Sequence, residues 1–212
     1  FAFVYEALPA EREFVLRTYP LVAAPLLFLA LGADPSKLEG EGLFALLLFA
    51  PAAYLPFILM HVPTTATPAA RWVVDTAPLS ERTEDAGAMK AIAIRLLAPL
   101  YLGIGALVLA TAEPALTIRL WPIAVAVGLV TLRILTARGL GRPLSTPAND
   151  LMSTWSEGLG GTLMTLAIVM TLIAVAAWRT IPGPGAGWAI LAAVLLAEAL
   201  LGRRATGGRA AR

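Results

Sequence analysis

Cysteine is absent from the 212 residues, which excludes disulfides, thiolate nucleophiles and cysteine-held metals or iron–sulfur clusters. Histidine occurs once, at position 61, so neither a multi-histidine metal site nor a pigment held by a pair of facing histidines is available. Charge is scarce as well. Only 14% of the residues are charged, against about 25% in a soluble domain, too few to clothe a surface that faces water. No Gly-x-x-x-x-Gly-Lys-Ser/Thr loop occurs, so the chain does not hydrolyse ATP by that device. The net charge is +2, but the basic residues sit at the ends of apolar runs rather than in a patch interleaved with aromatics, so nucleic acid is not an expected partner.

What fills the chain instead is apolar: 58% of residues are hydrophobic and the mean hydropathy is +0.79. The apolar residues come in runs close to the length that crosses a hydrocarbon layer of about 30 Å at 1.5 Å per residue. Six such spans are expected, near residues 16–33, 42–61, 91–112, 118–137, 159–178 and 185–202. The fold class is therefore all-α, a polytopic membrane helical bundle forming a single domain over residues 1–202. Prolines at 20, 25, 51, 56 and 99 lie inside spans, where neighbouring helices satisfy the carbonyls they free. Polar interruptions are expected at 62–90 and 138–157, and a basic disordered tail at 203–212. Within the second interruption, Ser145-Thr-Pro147 has the sequence of a helix start, a hydroxyl cap before a first-turn proline. The opening Phe1-Ala-Phe-Val-Tyr-Glu6 has no basic n-region or cleavage site of a signal peptide, and reads as part of a longer protein.

Lys and Arg fall unevenly on the two sides of six spans. Thirteen (12, 17, 71, 82, 90, 95, 133, 138, 142, 203, 204, 209 and 212) share one side, and three (Lys37, Arg119 and Arg179) the other. Positive charge marks the cytoplasmic side, so both termini are expected inside, in a bacterial cytoplasmic membrane.

Charge within a membrane helix costs roughly 2.5–3.5 kcal/mol on insertion scales and by default marks function. The intramembrane candidates are Arg95, Arg133 and Glu198. All three lie near the cytoplasmic ends of their spans, where a long side chain lifts its head group to the interface. A proton or anion path would require a partner at similar depth, and Glu198 beside Arg95 or Arg133 is the pairing on offer. His61, at a span end, reads first as an interfacial histidine. Tyr19, Tyr54, Tyr101, Trp72, Trp121, Trp155, Trp178 and Trp188 cluster mainly at span ends, as an aromatic belt does. Glycines 103, 105, 158, 160 and 161 suit close helix approach. Thr162 and Thr165 are expected to bond their own helix carbonyls. No catalytic set, metal site or cofactor site emerges, and no enzyme activity is expected.

Residues 69–77 read as a short interfacial helix: Ala70, Val73, Val74 and Ala77 share one face, while Arg71 and Asp75 form an i, i+4 pair elsewhere. The segment Ala66-Thr-Pro-Ala-Ala-Arg-Trp-Val-Val-Asp-Thr-Ala-Pro-Leu79 is followed by a charged gap, by Gly87-Ala-Met-Lys-Ala91 leading into the Pro99 span, and later by Arg142-Pro-Leu-Ser145. Over about residues 42–145 this resembles bacterial integral membrane proteins of the ABC-2 permease type. The resemblance implies a multi-span subunit that pairs with a separate ATPase or with a second copy of itself. It also implies that Arg71, Trp72, Asp75 and Pro78 mark the docking element. The chain departs from typical exporters in having no sizeable extracytoplasmic domain. Two functions stay open: a permease-like component of an ABC-type exporter energised by a separate ATPase, and a structural or assembly subunit of a larger respiratory or photosynthetic membrane complex.

Overall fold

The computed structural model describes residues 1–12, 14–20, 23, 41–76, 81–111, 114–137, 143–181 and 183–207. Helix α1 (Ala2–Ala10) buries Val4 and Leu8, one turn apart, and stops where Glu11 turns extended. Residues 14–20 are helical and bury Phe14 and Thr18. Helix α2 (Glu41–Met60) contains Pro51 and Pro56 without breaking. A 3-10 turn (Pro68–Arg71) runs directly into the one-turn helix α3 (Trp72–Asp75).

From Glu81 to Thr111 the chain is one long rod in three parts: helix α4 (Glu81–Ile92), a π-helical turn (Ala93–Leu97) and helix α5 (Ala98–Thr111). The cause of the wide turn is Pro99, which has no N–H for the carbonyl four residues back and whose ring crowds it. The amide of Ala98 reaches instead to the carbonyl of Ala93. Helix α6 (Pro114–Ala137) opens on a proline, where the missing N–H is harmless. Helices α7 (Ala148–Thr180) and α8 (Pro184–Gly207) complete the described chain.

Among the described residues, four helical stretches are long and apolar enough to cross a membrane: 84–110, Pro114–Ala137, 160–180 and 184–201. The apolar part of α2, Ala45–Met60, is shorter. The chain is thus an α-helical protein with membrane-spanning character. Most of the span expected at 16–33 lies outside the described residues.

At the centre, α6 packs against α2, α5 and α8, and α2 also packs against α7. Leu48, Ala52 and Leu55 of α2 and Leu120, Ala124 and Leu132 of α6 are buried in this core. Among its described side chains, helix α7 buries only a narrow stripe, Met170, Ala174 and Ala177, at helical spacing. Its other faces carry exposed Met164, Ile168 and Leu172, and α8 exposes Trp188, Leu196 and Leu200. Such outward apolar faces are what lipid, rather than water, tolerates.

Helices α5 and α6 interlock through two glycines. Tyr101 of α5 lies over Gly128 of α6, and Trp121 of α6 lies over Gly105 of α5, so close that a Cβ at either glycine would overlap the ring. Trp121 Nε1 also donates to the Tyr101 carbonyl at 2.7 Å. Tyr101 is therefore a core residue, 2% exposed, and not part of an aromatic belt. Its neighbour glycine makes the room that the belt reading did not foresee.

Other expectations shift at their boundaries. The polar interruption at 62–90 is shorter, because α4 begins at Glu81; Glu and Lys are good helix formers, and polarity there means solvent rather than loop. The interruption at 138–157 is likewise cut short by α7, which starts at Ala148 just after Ser145-Thr-Pro147 and runs unbroken into the apolar span. The first residues of the expected disordered tail are helical, since α8 continues to Gly207. The interfacial helix expected at 69–77 is a 3-10 turn and a single α turn over 68–75. The side chains of Ala70, Val73 and Val74, and all of Ala77, lie outside the description.

Candidate functional site

One compact polar site stands out, at the end of the bundle where α2 exits and α7 begins. Helix α2 stops at Met60 because Pro63 follows; the amides of His61, Val62 and Thr64 fold back onto the carbonyls of Ile58, Leu59 and His61 in tight three-residue steps. Thr64 adds its Oγ1 to the His61 carbonyl at 2.6 Å. The chain then extends, and Thr64–Thr65 (β1) pairs in parallel with Thr146–Pro147 (β2).

Leu144 secures this junction. Its amide donates to the Val62 carbonyl at 3.1 Å, and the amides of Ser145 and Thr146 both donate to the Pro63 carbonyl. Leu144 has φ = 54°, a left-handed conformation that costs a leucine about 1–2 kcal/mol. That conformation persists where surroundings over-determine it, here three backbone bonds and a side chain only 7% exposed.

Two charged side chains tie further segments to the junction. Glu11 accepts from Thr65 Oγ1 at 3.0 Å and from the Ala66 amide at 2.8 Å, holding the N-terminal segment to the exit of α2. Arg71 reaches three ways: Nε to Asp75 Oδ1 at 3.1 Å, Nη2 to Glu84 Oε1 at 2.6 Å, and Nη1 to the Pro143 carbonyl. Its side chain is 6% exposed. The guanidinium fork suits this work because its planar donors satisfy several acceptors at once, which an ammonium cannot do. Trp72, the next residue, points outward and is 65% exposed.

The four docking candidates therefore separate. Arg71 is an internal clamp, Asp75 one of its half-exposed anchors, and Trp72 the exposed member; Pro78 lies outside the described residues. His61 is 3% exposed and stacks edge-on against Phe57. Neither ring nitrogen has a hydrogen-bond partner among the described residues, so it is a buried histidine rather than an interfacial one.

The intramembrane candidates also separate. Arg133 Nη1 pairs with Glu198 Oε2 at 3.3 Å, joining α6 to α8, with Met89 Sδ beside it at 3.7 Å. Arg95 is exposed and lies over the Tyr5 ring instead. Farther out on α7, Thr171 and Thr180 bond the carbonyls of Ala167 and Ala176, as hydroxyls in lipid do.

Glu11 and Glu84 were not singled out from the sequence. Nothing local marks them, because their partners lie 55 and 13 residues away. One local signal was present: Thr-Pro-Ala occurs at 67–69 and again at 146–148, and each copy opens a helix at this junction. Among the described residues no group of three His, Asp or Glu is placed to hold a metal ion. What the arrangement can do is mechanical: it fixes a short helix and its tryptophan rigidly to the end of a lipid-facing bundle. No protein-family model, curated protein sequence or solved structure matches this chain.

Proposed function

We propose that the chain is a non-catalytic polytopic subunit of a bacterial inner-membrane assembly, of the permease type that works with a separate ATPase, and that α3 is its docking element. The observation that carries this reading is the contrast between Arg71 and Trp72. Three internal bonds hold the helix, and the largest side chain on it is left 65% exposed. Exposed, rigidly held tryptophans are typical anchors of protein–protein contacts. The thirteen-to-three distribution of Lys and Arg across six expected spans supports a cytoplasmic side for this junction, the side on which a soluble ATPase would meet it.

Mild solubilisation followed by purification tests the proposal. A soluble ATPase recovered with the wild-type chain and lost with Trp72→Ala, while the thermal unfolding midpoint stays in place, is the expected result. Equal recovery with the alanine variant removes α3 from the docking role.

A second reading, a structural subunit of a larger membrane complex, draws on the outward faces of α7 and α8. Only 17% and 11% of their apolar spans are buried within the chain, leaving two helices free to pack against other membrane proteins. Copurification of integral membrane proteins alone, cross-linked through Met164 or Leu196 positions, favours this reading over the first.

A further inference from the structure

The outer surface where α1 packs on α4, and Tyr5 on Arg95 of the π turn, holds two cations that no carboxylate among the described residues neutralises. Lys90 Nζ lies 5.4 Å over the Phe1 ring, and the Arg95 guanidinium lies 5.1 Å over the Tyr5 ring. The two rings stack, with centroids 5.4 Å apart. Both cations are exposed, and among the described residues no salt bridge joins either to a carboxylate. Arg71, by contrast, has two and Arg133 one. A ring face attracts a cation weakly and fills none of its N–H donors. Arg95 gives an N–H to Tyr5 Oη at a long 3.4 Å and also meets the Tyr19 hydroxyl, two neutral acceptors for five donors.

The same surface is apolar around these charges. Phe1, under Lys90, and Ile94, the residue before Arg95, are 49% and 45% exposed. Lys90 stands at the threshold where the rod of 84–110 turns apolar, and Arg95 little more than one turn further along. Aromatic bodies, aliphatic faces and unneutralised cations at one level of a membrane helix match the layer where lipid headgroups meet acyl chains.

We propose that Lys90 and Arg95 bind the phosphates of anionic phospholipid headgroups, with acyl chains lying along Ile94. The guanidinium fork matches two phosphate oxygens, and the ammonium adds a mobile point charge. The negative leaflet surface supplies the ligand at high local concentration. The inference rests on the chain's spanning a bilayer with this end at a headgroup layer, and is independent of any docking role for Trp72.

The test uses the full chain in detergent, mixed with phosphatidylglycerol or with phosphatidylcholine of identical acyl chains, and counts retained lipids by native mass spectrometry. The wild type is expected to retain phosphatidylglycerol preferentially, and the preference to weaken as salt is raised. Lys90→Gln with Arg95→Gln should lower phosphatidylglycerol affinity about thirtyfold, the change expected for two basic groups at roughly 1 kcal/mol each. Phosphatidylcholine retention should not change, and Arg179→Gln, outside this surface, should behave as wild type. Equal retention of the two lipids by the wild type, or a preference insensitive to salt, overturns the site even if the double variant fails to fold. Unchanged phosphatidylglycerol retention in a folded double variant does the same. Reconstitution separates the two premises: a wild-type chain that alkaline carbonate strips from liposomes refutes the membrane reading itself, whereas one that stays inserted without lipid preference refutes only the headgroup site.

Discussion

A guanidinium that is 6% exposed and faces two carboxylates leaves both anions unbalanced when it is removed. Arg71→Gln should therefore cost about 3–5 kcal/mol, the range for breaking a buried ion pair from one side. The expected readout is a clearly lowered unfolding midpoint in detergent, with Arg71→Lys restoring only part of it, since one ammonium cannot reach Asp75, Glu84 and the Pro143 carbonyl together. A midpoint unmoved by either substitution would mean that the clamp does not form. Arg71 was legible in the sequence as one member of an i, i+4 pair with Asp75. The inward direction of its charge was not, because Glu84 and Pro143 become neighbours only when the chain closes. His61 shows the same limit: its position at a span end was readable, whereas its burial beside Phe57 was not.

Between α5 and α6 the contact is a reciprocal ring-over-glycine fit, and its energetics are testable one side at a time. Gly128→Ala should cost about 1–3 kcal/mol through overpacking, because the added methyl meets the Tyr101 hydroxyl. That hydroxyl is buried with no hydrogen-bond partner among the described residues, so Tyr101→Phe should be neutral or slightly stabilising. Combined, the two should fall short of additivity, with Tyr101→Phe relieving part of the glycine defect in a double-mutant cycle. Strict additivity would place the ring elsewhere. Helices were the most legible elements here, since an apolar run near twenty residues long leaves few alternatives in lipid. Their ends were less so, because α4 and α7 continue past the apolar boundary on charged residues that composition alone assigns to loops. Pro99 announced a distortion; that the Ala98 amide turns to the Ala93 carbonyl, widening the helix by one residue, is not displayed by the sequence.

For the molecule as a whole, the bundle character was written in composition, and the junction that closes one end of it was not. Orientation is open to direct measurement because the chain has no cysteine, so a single introduced thiol reports its own side. Arg82→Cys should react with a membrane-impermeant maleimide only in inverted vesicles, and Arg179→Cys only in right-side-out ones. The reverse pattern would invert the topology, and labelling of both from one side would break the charge-based assignment. The Arg71–Pro143 bond spans 72 residues of sequence, and this gives the clamp a timetable. At about 5–20 residues per second, the ribosome needs roughly 4 to 14 s after releasing Arg71 before it supplies the carbonyl that completes the clamp. Throughout that interval Arg71 is held by Asp75 and Glu84 alone, without the bond that ties it to the second half of the chain. A chain ending at Ala137 should therefore be cut by trypsin after Arg71 while the finished protein resists, so that synthesis of the second half licenses the survival of the first.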